Sequence, residues 1–97
     1  MIIAVWKAEA KPGSGDNFAQ IIKEKILPLM RQHKGFRHLT IGKAAADNQV
    51  IVVSYWNSDE ESAVLRNSPE WQEAFAQSQQ AFVTTPIREA FEVLLDE

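Results

Sequence analysis

The sequence predicts an α+β domain built on one antiparallel sheet of four strands, and three observations predict it. Short runs of β-branched and aromatic residues alternate with segments whose apolar residues recur at helical spacing. Two helix-start signals, at Ser58 and Ser68, separate the last two strand-like runs. The chain has 97 residues, of which 45% are hydrophobic, and this suits one small globular domain over residues 1–97.

The first third of the chain predicts a strand followed by a helix. Residues 2–9 are rich in β-branched and aromatic types and stop at a turn-forming run, residues 11–15. Asp16 offers an N-cap carboxylate to the helix that follows. Pro28 is expected to kink this helix, because proline removes a backbone donor and crowds the preceding turn. Gly35 is a natural left-handed stop for it.

A hairpin comes next. Residues 36–45 and residues 49–56 predict two strands, joined by a tight turn at Asp47 and Asn48. Two neighbouring antiparallel strands are thus expected in the middle of the chain.

Two capped helices and a last strand complete the chain. Ser58 with Glu61 three residues later forms a capping box, and Ser68 with Pro69 begins the next helix. Residues 87–95 predict the final strand, with a terminal helix as the alternative. The order β-α-β-β-α-α-β is that of the ferredoxin-like split β-α-β arrangement.

The first and third predicted strands are apolar on both sides, although helices in this topology cover only one face of the sheet. In the third strand, the two alternating sets are Val50, Val52 and Trp56 on one side and Ile51, Val53 and Tyr55 on the other. A face left in water would carry polar residues instead. The simplest cover is the same face of a second copy, so the sequence predicts a homodimer packed through its sheets.

Composition excludes several classes of protein. The formal net charge of −3 and the lack of any basic run argue against a nucleic-acid partner. The absence of cysteine removes disulfides and thiolate chemistry. No signal peptide and no membrane-spanning run is predicted, so the expected location is cytoplasmic. The acidic residues 59–61 predict a capped, solvated turn and no metal site, because sequential acids do not converge on one ion.

The middle of the chain resembles the antibiotic-biosynthesis-monooxygenase (ABM) family. The resemblance is carried by residues 55–62 and by Asn67-Ser68-Pro69-Glu70-Trp71, and it extends to residues 27–30 and 34–36. It spans nearly the whole chain and implies a dimeric α+β barrel. Some members of the family oxygenate phenolic or quinol-type aromatics without metal or flavin, some degrade haem, and many have no known activity.

This chain departs from the family at its polar positions. Haem-degrading members use a Trp in the short helix, a His in the next helix and an Asn on the first strand. Aligned on the Ser-Pro cap, these fall at Leu65, at Phe75, and at Trp6 or Lys7. Many other members also carry a His where this chain has Leu65. Without an axial ligand for haem, the resemblance implies no cofactor.

His38 is the candidate catalytic base, because its reference pKa lies near neutrality and its strand is expected to line the sheet. Trp56, Trp71, Phe75 and Tyr55 are the candidate ligand-binding residues. The alternative for His38 is a solvated histidine at the sheet edge. The alternative for the aromatic residues is that they fill the core.

Three hypotheses about function follow. The first is a small ABM-like monooxygenase that oxidises phenolic or quinol-type aromatics with dioxygen and no cofactor. The second is a non-catalytic homodimer that binds a small planar hydrophobic metabolite. The third is a structural or regulatory dimer whose interior is fully packed.

Overall fold

The structure, a computed structural model, describes residues 1–13, 15–44 and 48–97 of the chain. Ser14, Ala45 and Asp47, which belong to the predicted turns and the predicted end of the second strand, lie outside those residues. The elements are β1 (Ile2–Glu9), α1 (Gly15–Ile21), a π-helical turn (Ile22–Ile26), α2 (Leu27–Arg31), β2 (Phe36–Lys43), β3 (Gln49–Trp56), α3 (Asp59–Arg66), α4 (Pro69–Ser78), a 3₁₀ turn (Gln79–Ala81) and β4 (Ile87–Glu92). The predicted α+β fold is confirmed.

The four strands form one antiparallel sheet in the order β2-β3-β1-β4. Trp6 of the central strand β1 lies opposite Val52 of β3 on one side and opposite Arg88 of β4 on the other. The last element is a strand and not a terminal helix, and it ends at Glu92, three residues earlier than predicted. The pairing of β1 with β4 brings Arg88 to the same face of the sheet as Trp6.

The pairing of β2 with β3 is interrupted by an extra residue, Arg37. Phe36 lies opposite Trp56, whereas His38 lies opposite Tyr55. Side chains alternate along a strand, so one extra residue moves every later side chain of β2 to the other face. His38 consequently lies on the face that carries Tyr55.

The helical segment of residues 15–31 contains a wide turn directly before Pro28. The Leu27 N–H donates to the Ile22 carbonyl, five residues back instead of four. Because Pro28 lacks an N–H and its ring crowds the preceding turn, the wider turn accommodates it without ending the helix. The predicted kink is therefore a π-helical turn, and its Ile22 and Ile26 remain buried in the core.

The two predicted serine caps are confirmed. Ser58 Oγ accepts a hydrogen bond from the Glu61 N–H, and Ser68 Oγ accepts one from the Trp71 N–H, each at 3.2 Å. The Glu61 carboxylate turns to the serine hydroxyl, which donates to its Oε1 at 2.9 Å. Each cap satisfies one of the backbone donors that a helix start leaves unpaired.

Gly35 links α2 to β2 in a conformation that only glycine adopts readily. Its φ is +95°, and its carbonyl accepts a hydrogen bond from the Asn57 N–H at 2.8 Å. The Glu61 side chain packs directly over it, so a Cβ at position 35 would lie 2.5 Å from Glu61 Oε2 and 2.9 Å from Glu61 Cβ. The left-handed stop predicted at Gly35 is confirmed, and the packing of Glu61 adds a steric reason for it.

The sheet has an inner face, covered by the helices, and an open face. Buried side chains of the inner face and the helices form the core, which includes Ala8, Phe18, Ile26, Met30, Val50, Val52, Trp56, Leu65 and Trp71. The apolar side chains of the open face are Ile3, Val5, Ile51, Val53, Tyr55, Ile87 and Phe91. All seven are half-buried or exposed. The predicted apolar character of both faces is confirmed.

Candidate functional site

Three aromatic side chains form a wall on the inner face, and we call Trp6, Trp71 and Phe75 the aromatic wall. Trp71 and Phe75 lie four residues apart on α4 and therefore share one side of that helix. Their ring centroids are 6.0 Å apart with planes inclined by 20°. The Trp6 ring centroid lies 5.5 Å from that of Phe75 and 6.2 Å from that of Trp71. Strand β1 and helix α4 thus present one continuous aromatic surface.

The aromatic wall borders an apolar cavity of about 30 Å³ between the sheet and the helices. Its other lining residues include Phe18, Ile22, Ile26, Val50, Val52 and Phe82. A cavity that admits a benzene ring is roughly 150 Å³. The observed cavity is therefore closed to an aromatic ring. Trp6, Phe75, Phe82 and Pro86 line it and are half-buried, so movement of these side chains would enlarge it.

A second group, which we call the polar cluster, consists of Asp59, Ser62, Arg66 and Arg88. Arg88 Nη2 donates to Asp59 Oδ1 at 2.9 Å and to Ser62 Oγ at 3.2 Å. Arg66 Nη2 donates to the same Asp59 oxygen, and its Nε donates to the same Ser62 hydroxyl, each at 3.2 Å. Two guanidinium groups, one from α3 and one from β4, therefore converge on the same two oxygen atoms.

The polar cluster carries one more positive charge than negative. The hydrogen bond from Arg88 holds the pKa of the Asp59 carboxyl below its usual value; partial burial opposes this shift, while the charges of Arg88 and Arg66 add to it. Burial lowers the pKa of Arg66, and the nearby charge of Arg88 lowers it further. Asp59 is thus ionised at neutral pH and is a poor proton acceptor, whereas both arginines remain cations.

The polar cluster adjoins the aromatic wall. The residues that line a cavity of about 10 Å³ include Trp6 and Trp71 of the wall and Ser62, Arg66 and Arg88 of the cluster. Trp6 and Arg88 are cross-strand neighbours on the inner face, which explains this proximity. An aromatic surface and a pair of cations therefore meet at one place.

The residues predicted to form the site fall on both sides of the sheet. His38 is exposed on the open face, where its ring centroid lies 5.9 Å from that of Tyr55. Trp56, Trp71 and Phe75 lie on the inner side, and among these three the ring contact is between Trp71 and Phe75. The sheet separates the predicted base from three of the four predicted ligand-binding residues.

Trp56 has surroundings of its own within the core. Its ring meets Phe36 edge-on at a centroid distance of 5.5 Å, and its indole N–H donates to Ser54 Oγ at 3.1 Å. Trp56 lines the smaller cavity but not the larger one. Its polar atom is satisfied within the protein, as expected for a tryptophan that packs in a core.

Trp6 and all four members of the polar cluster were not among the site residues predicted from the sequence. A local signal was available for three of them, because Asp59, Ser62 and Arg66 recur at spacings of three and four on one side of a helix. No local signal exists for Arg88 or Trp6, since their positions depend on the pairing of β1 with β4.

Neither a metal cluster nor a membrane span is found in the described part of the chain. Within residues 1–13, 15–44 and 48–97, no three His, Cys, Asp or Glu side chains lie close enough to hold a metal ion. None of the helices described there is long and apolar enough to cross a bilayer.

Comparison with known proteins identifies the family. A search of curated proteins finds no significant match. Among solved structures, SnoaB, a cofactor-independent oxygenase from Streptomyces nogalater, superposes with a TM-score of 0.82 at 12% identity, covering 98% of this chain and 94% of that one. A protein from Bordetella bronchiseptica gives 0.84 at 19% identity over 97% of each chain. Rv0793 from Mycobacterium tuberculosis gives 0.77 at 17% identity, covering 99% and 96%. Identities this low show a shared fold alone.

The family model for antibiotic biosynthesis monooxygenases matches residues 1–77, and the chain therefore belongs to that family.

Proposed function

We propose that the protein is a cofactor-independent oxygenase that oxidises a small phenolic or quinol-type aromatic with dioxygen. One observation carries the proposal, namely that the aromatic wall of the inner face adjoins the cations of the polar cluster. The wall offers a surface on which a planar ring stacks, and the Arg66 and Arg88 guanidiniums would stabilise the negative charge of a phenolate. Family membership supports the same reaction class.

The reaction balances without an outside reductant. When dioxygen oxidises a phenol at its para carbon, one oxygen atom becomes the new ring carbonyl and the other leaves as water. The two hydrogens of that water come from the phenol O–H and the ring C–H. The substrate therefore supplies all the electrons, and the protein has to bind the phenolate, hold its charge and exclude bulk water.

Oxygen consumption tests the proposal directly. Purified protein is mixed with a panel of monocyclic and bicyclic phenols and hydroquinones, and dioxygen is followed with an electrode against buffer and heat-denatured protein. We expect uptake that requires native protein and yields a quinone. Uptake no faster than in buffer across the panel would contradict the proposal. Binding without uptake would favour the non-catalytic binder of planar metabolites, and neither binding nor uptake would favour a structural or regulatory dimer.

The position of His38 gives a second test of where the reaction occurs. His38 is exposed on the open face, and the sheet lies between it and the aromatic wall. We expect His38→Gln to consume dioxygen at close to the native rate, because the two arginines can favour the phenolate without a base. The rate is measured with the best phenol of the panel. A loss of most activity would instead support the role of His38 as the base predicted from sequence, with the ligand on the open face.

The same proposal includes a homodimer formed through the open face. The seven apolar side chains of that face are half-buried or exposed, and two of them, Ile87 and Phe91, belong to the edge strand β4. A second copy packed face to face would remove them from water, as in other pairs of stacked sheets. The resemblance noted in the sequence implies the same dimeric barrel.

A single charged substitution on the open face tests the proposed homodimer. Val53 lies at the middle of the open face, opposite Val5 and Thr40. We expect Val53→Asp to shift the protein to a folded monomer, because a face-to-face dimer would bury the new carboxylate without a partner. Light scattering at micromolar concentration measures the mass, and Val64→Asp on the exposed side of α3 is the matched control. A native protein that is already monomeric at that concentration would contradict the homodimer.

A further inference from the structure

We propose that Arg66 and Arg88 form an anion-binding subsite that Asp59 fills in the free protein and leaves when a ligand binds. The ligand class is a small planar aromatic that carries a carboxylate or phenolate on its ring. The inference rests on the proposed function for the position of the ring, against the aromatic wall. It adds that the two arginines select the anionic group of the ligand and that Asp59 competes with that group.

The geometry of the arginines is that of an incompletely occupied site. Both guanidiniums share one oxygen of Asp59 and the hydroxyl of Ser62, and neither forms the two-bond fork with the carboxylate that arginine favours. A guanidinium carries five N–H donors. Within the described residues, Arg88 uses only Nη2, and Arg66 uses only Nε and Nη2. Donors on both arginines therefore remain for another acceptor.

The charges of Arg66, Arg88 and Asp59 also indicate a site that can accept another anion. Two partly buried cations, with side chains 28% and 17% exposed for Arg66 and Arg88, share a single carboxylate. Like charges this close repel each other, and the described residues supply no second anion to the pair. An incoming carboxylate or phenolate would supply that anion and could accept hydrogen bonds from both arginines.

The Asp59 side chain is free to move away from the two arginines when a ligand binds. Its side chain is 53% exposed and it is the first residue of α3, so its carboxylate can turn into water while the backbone stays in place. Ion pairs with exposed carboxylates are weak, because water competes for both partners. Ser62 is buried and stays as a neutral hydrogen-bonding group between the two arginines.

The adjoining cavity fixes the chemical class of the ligand. Trp6 and Trp71 line the same small space as the two arginines. An anionic group that replaces the Asp59 carboxylate beside this space would bring the rest of the molecule to the aromatic wall. A planar ring with the charge on it or one atom away meets both requirements, whereas an aliphatic anion meets only one.

The experiment uses 2-naphthoate and 2-naphthamide, which have the same shape and differ in charge. Neither is a phenol, so binding is measured apart from turnover. Each is titrated into ¹⁵N-labelled protein, and the indole N–H signals of Trp6 and Trp71 and the Nε–H signals of Arg66 and Arg88 are followed. We expect 2-naphthoate to shift these signals and to bind about tenfold more tightly than 2-naphthamide, as charge-assisted hydrogen bonds are stronger than neutral ones.

Removing the competing carboxylate gives the decisive result. We expect Asp59→Asn to bind 2-naphthoate about tenfold more tightly than native protein and to leave 2-naphthamide unchanged, because a removed anion no longer competes for the cations. Glu60→Gln is the matched control: it makes the same change of charge in the same turn of α3, and Glu60 is not a partner of either arginine. It is expected to bind both probes like native protein. Arg66→Gln should erase the preference for the carboxylate.

Three outcomes would overturn the inference: equal affinity for the two probes, no gain in Asp59→Asn, or no binding of 2-naphthoate to that variant. These outcomes are distinct from a failure of the proposed function. A preference for 2-naphthoate with no oxygen uptake on any phenol keeps the subsite and removes the oxygenase. Oxygen uptake without a preference for 2-naphthoate keeps the oxygenase and removes the subsite.

Discussion

Gly35→Ala is expected to lower the free energy of unfolding by about 2–5 kcal/mol, a large part of the stability of a small domain. An alanine at a φ of +95° is strained, and its Cβ would lie within 3.0 Å of three Glu61 side-chain atoms. One of those atoms is the Glu61 Cβ, which cannot move without moving α3. Urea unfolding followed by tryptophan fluorescence measures the loss.

Gly13 supplies the matched control for this substitution. It also has a positive φ, +77°, but a Cβ there would meet nothing within 4 Å. We expect Gly13→Ala to cost only the backbone part, about 1–2 kcal/mol. Adding Glu61→Ala to Gly35→Ala should recover only part of the steric loss, because alanine removes the Glu61 carboxylate but keeps the Cβ that lies 2.9 Å away. Equal losses for Gly35→Ala and Gly13→Ala would contradict the packing described for Glu61.

Arg88→Gln is expected to lower the rate of oxygen consumption by roughly 10²-fold, the usual effect of removing one group that stabilises a developing oxyanion. Arg88 is the less exposed of the two cations and the cross-strand neighbour of Trp6. We expect kcat to fall and KM to rise, because Arg88 binds the phenolate before the reaction and stabilises its charge during it. Steady-state oxygen uptake on the best phenol of the panel measures both constants.

Arg37→Gln is the control for the loss of a positive charge. Arg37 is exposed on β2, the edge strand opposite β4, and donates to Asn57 Oδ1 at 2.9 Å, not to a member of the polar cluster. We expect it to keep the native rate, and we expect Arg88→Lys to retain part of it, since lysine keeps the charge but not the planar fork. Full activity in Arg88→Gln, with thermal unfolding confirming a native fold, would show that the reaction does not use the polar cluster.

The fold could be predicted largely because its signals are local. The caps at Ser58 and Ser68 and the left-handed glycine at position 35 each depend on residues a few positions away. The apolar character of both faces of β3 is likewise predicted by the alternating residues of that one strand. The π-helical turn differs from the predicted kink only in how the helix accommodates Pro28.

The site could not be predicted in the same way, because it depends on register. Continued from Phe36 opposite Trp56, regular pairing would place His38 opposite Ser54, on the inner face; the extra residue in β2 places it opposite Tyr55 instead. No sequence pattern near His38 predicts that register shift. Arg88 joins α3 only through the pairing of β4 with β1, a contact between the two ends of the chain.

The aromatic wall also has an optical consequence. Trp6 and Trp71 lie close enough for their indole transitions to couple, and both residues border the cavity that must widen before a ring can enter. Trp56 donates its indole N–H to Ser54 and does not line that cavity. Opening of the interior should therefore change the circular dichroism of one tryptophan pair while the third tryptophan serves as an internal reference. The tryptophan pair would thus report the motion that binding of a ring at the proposed site requires.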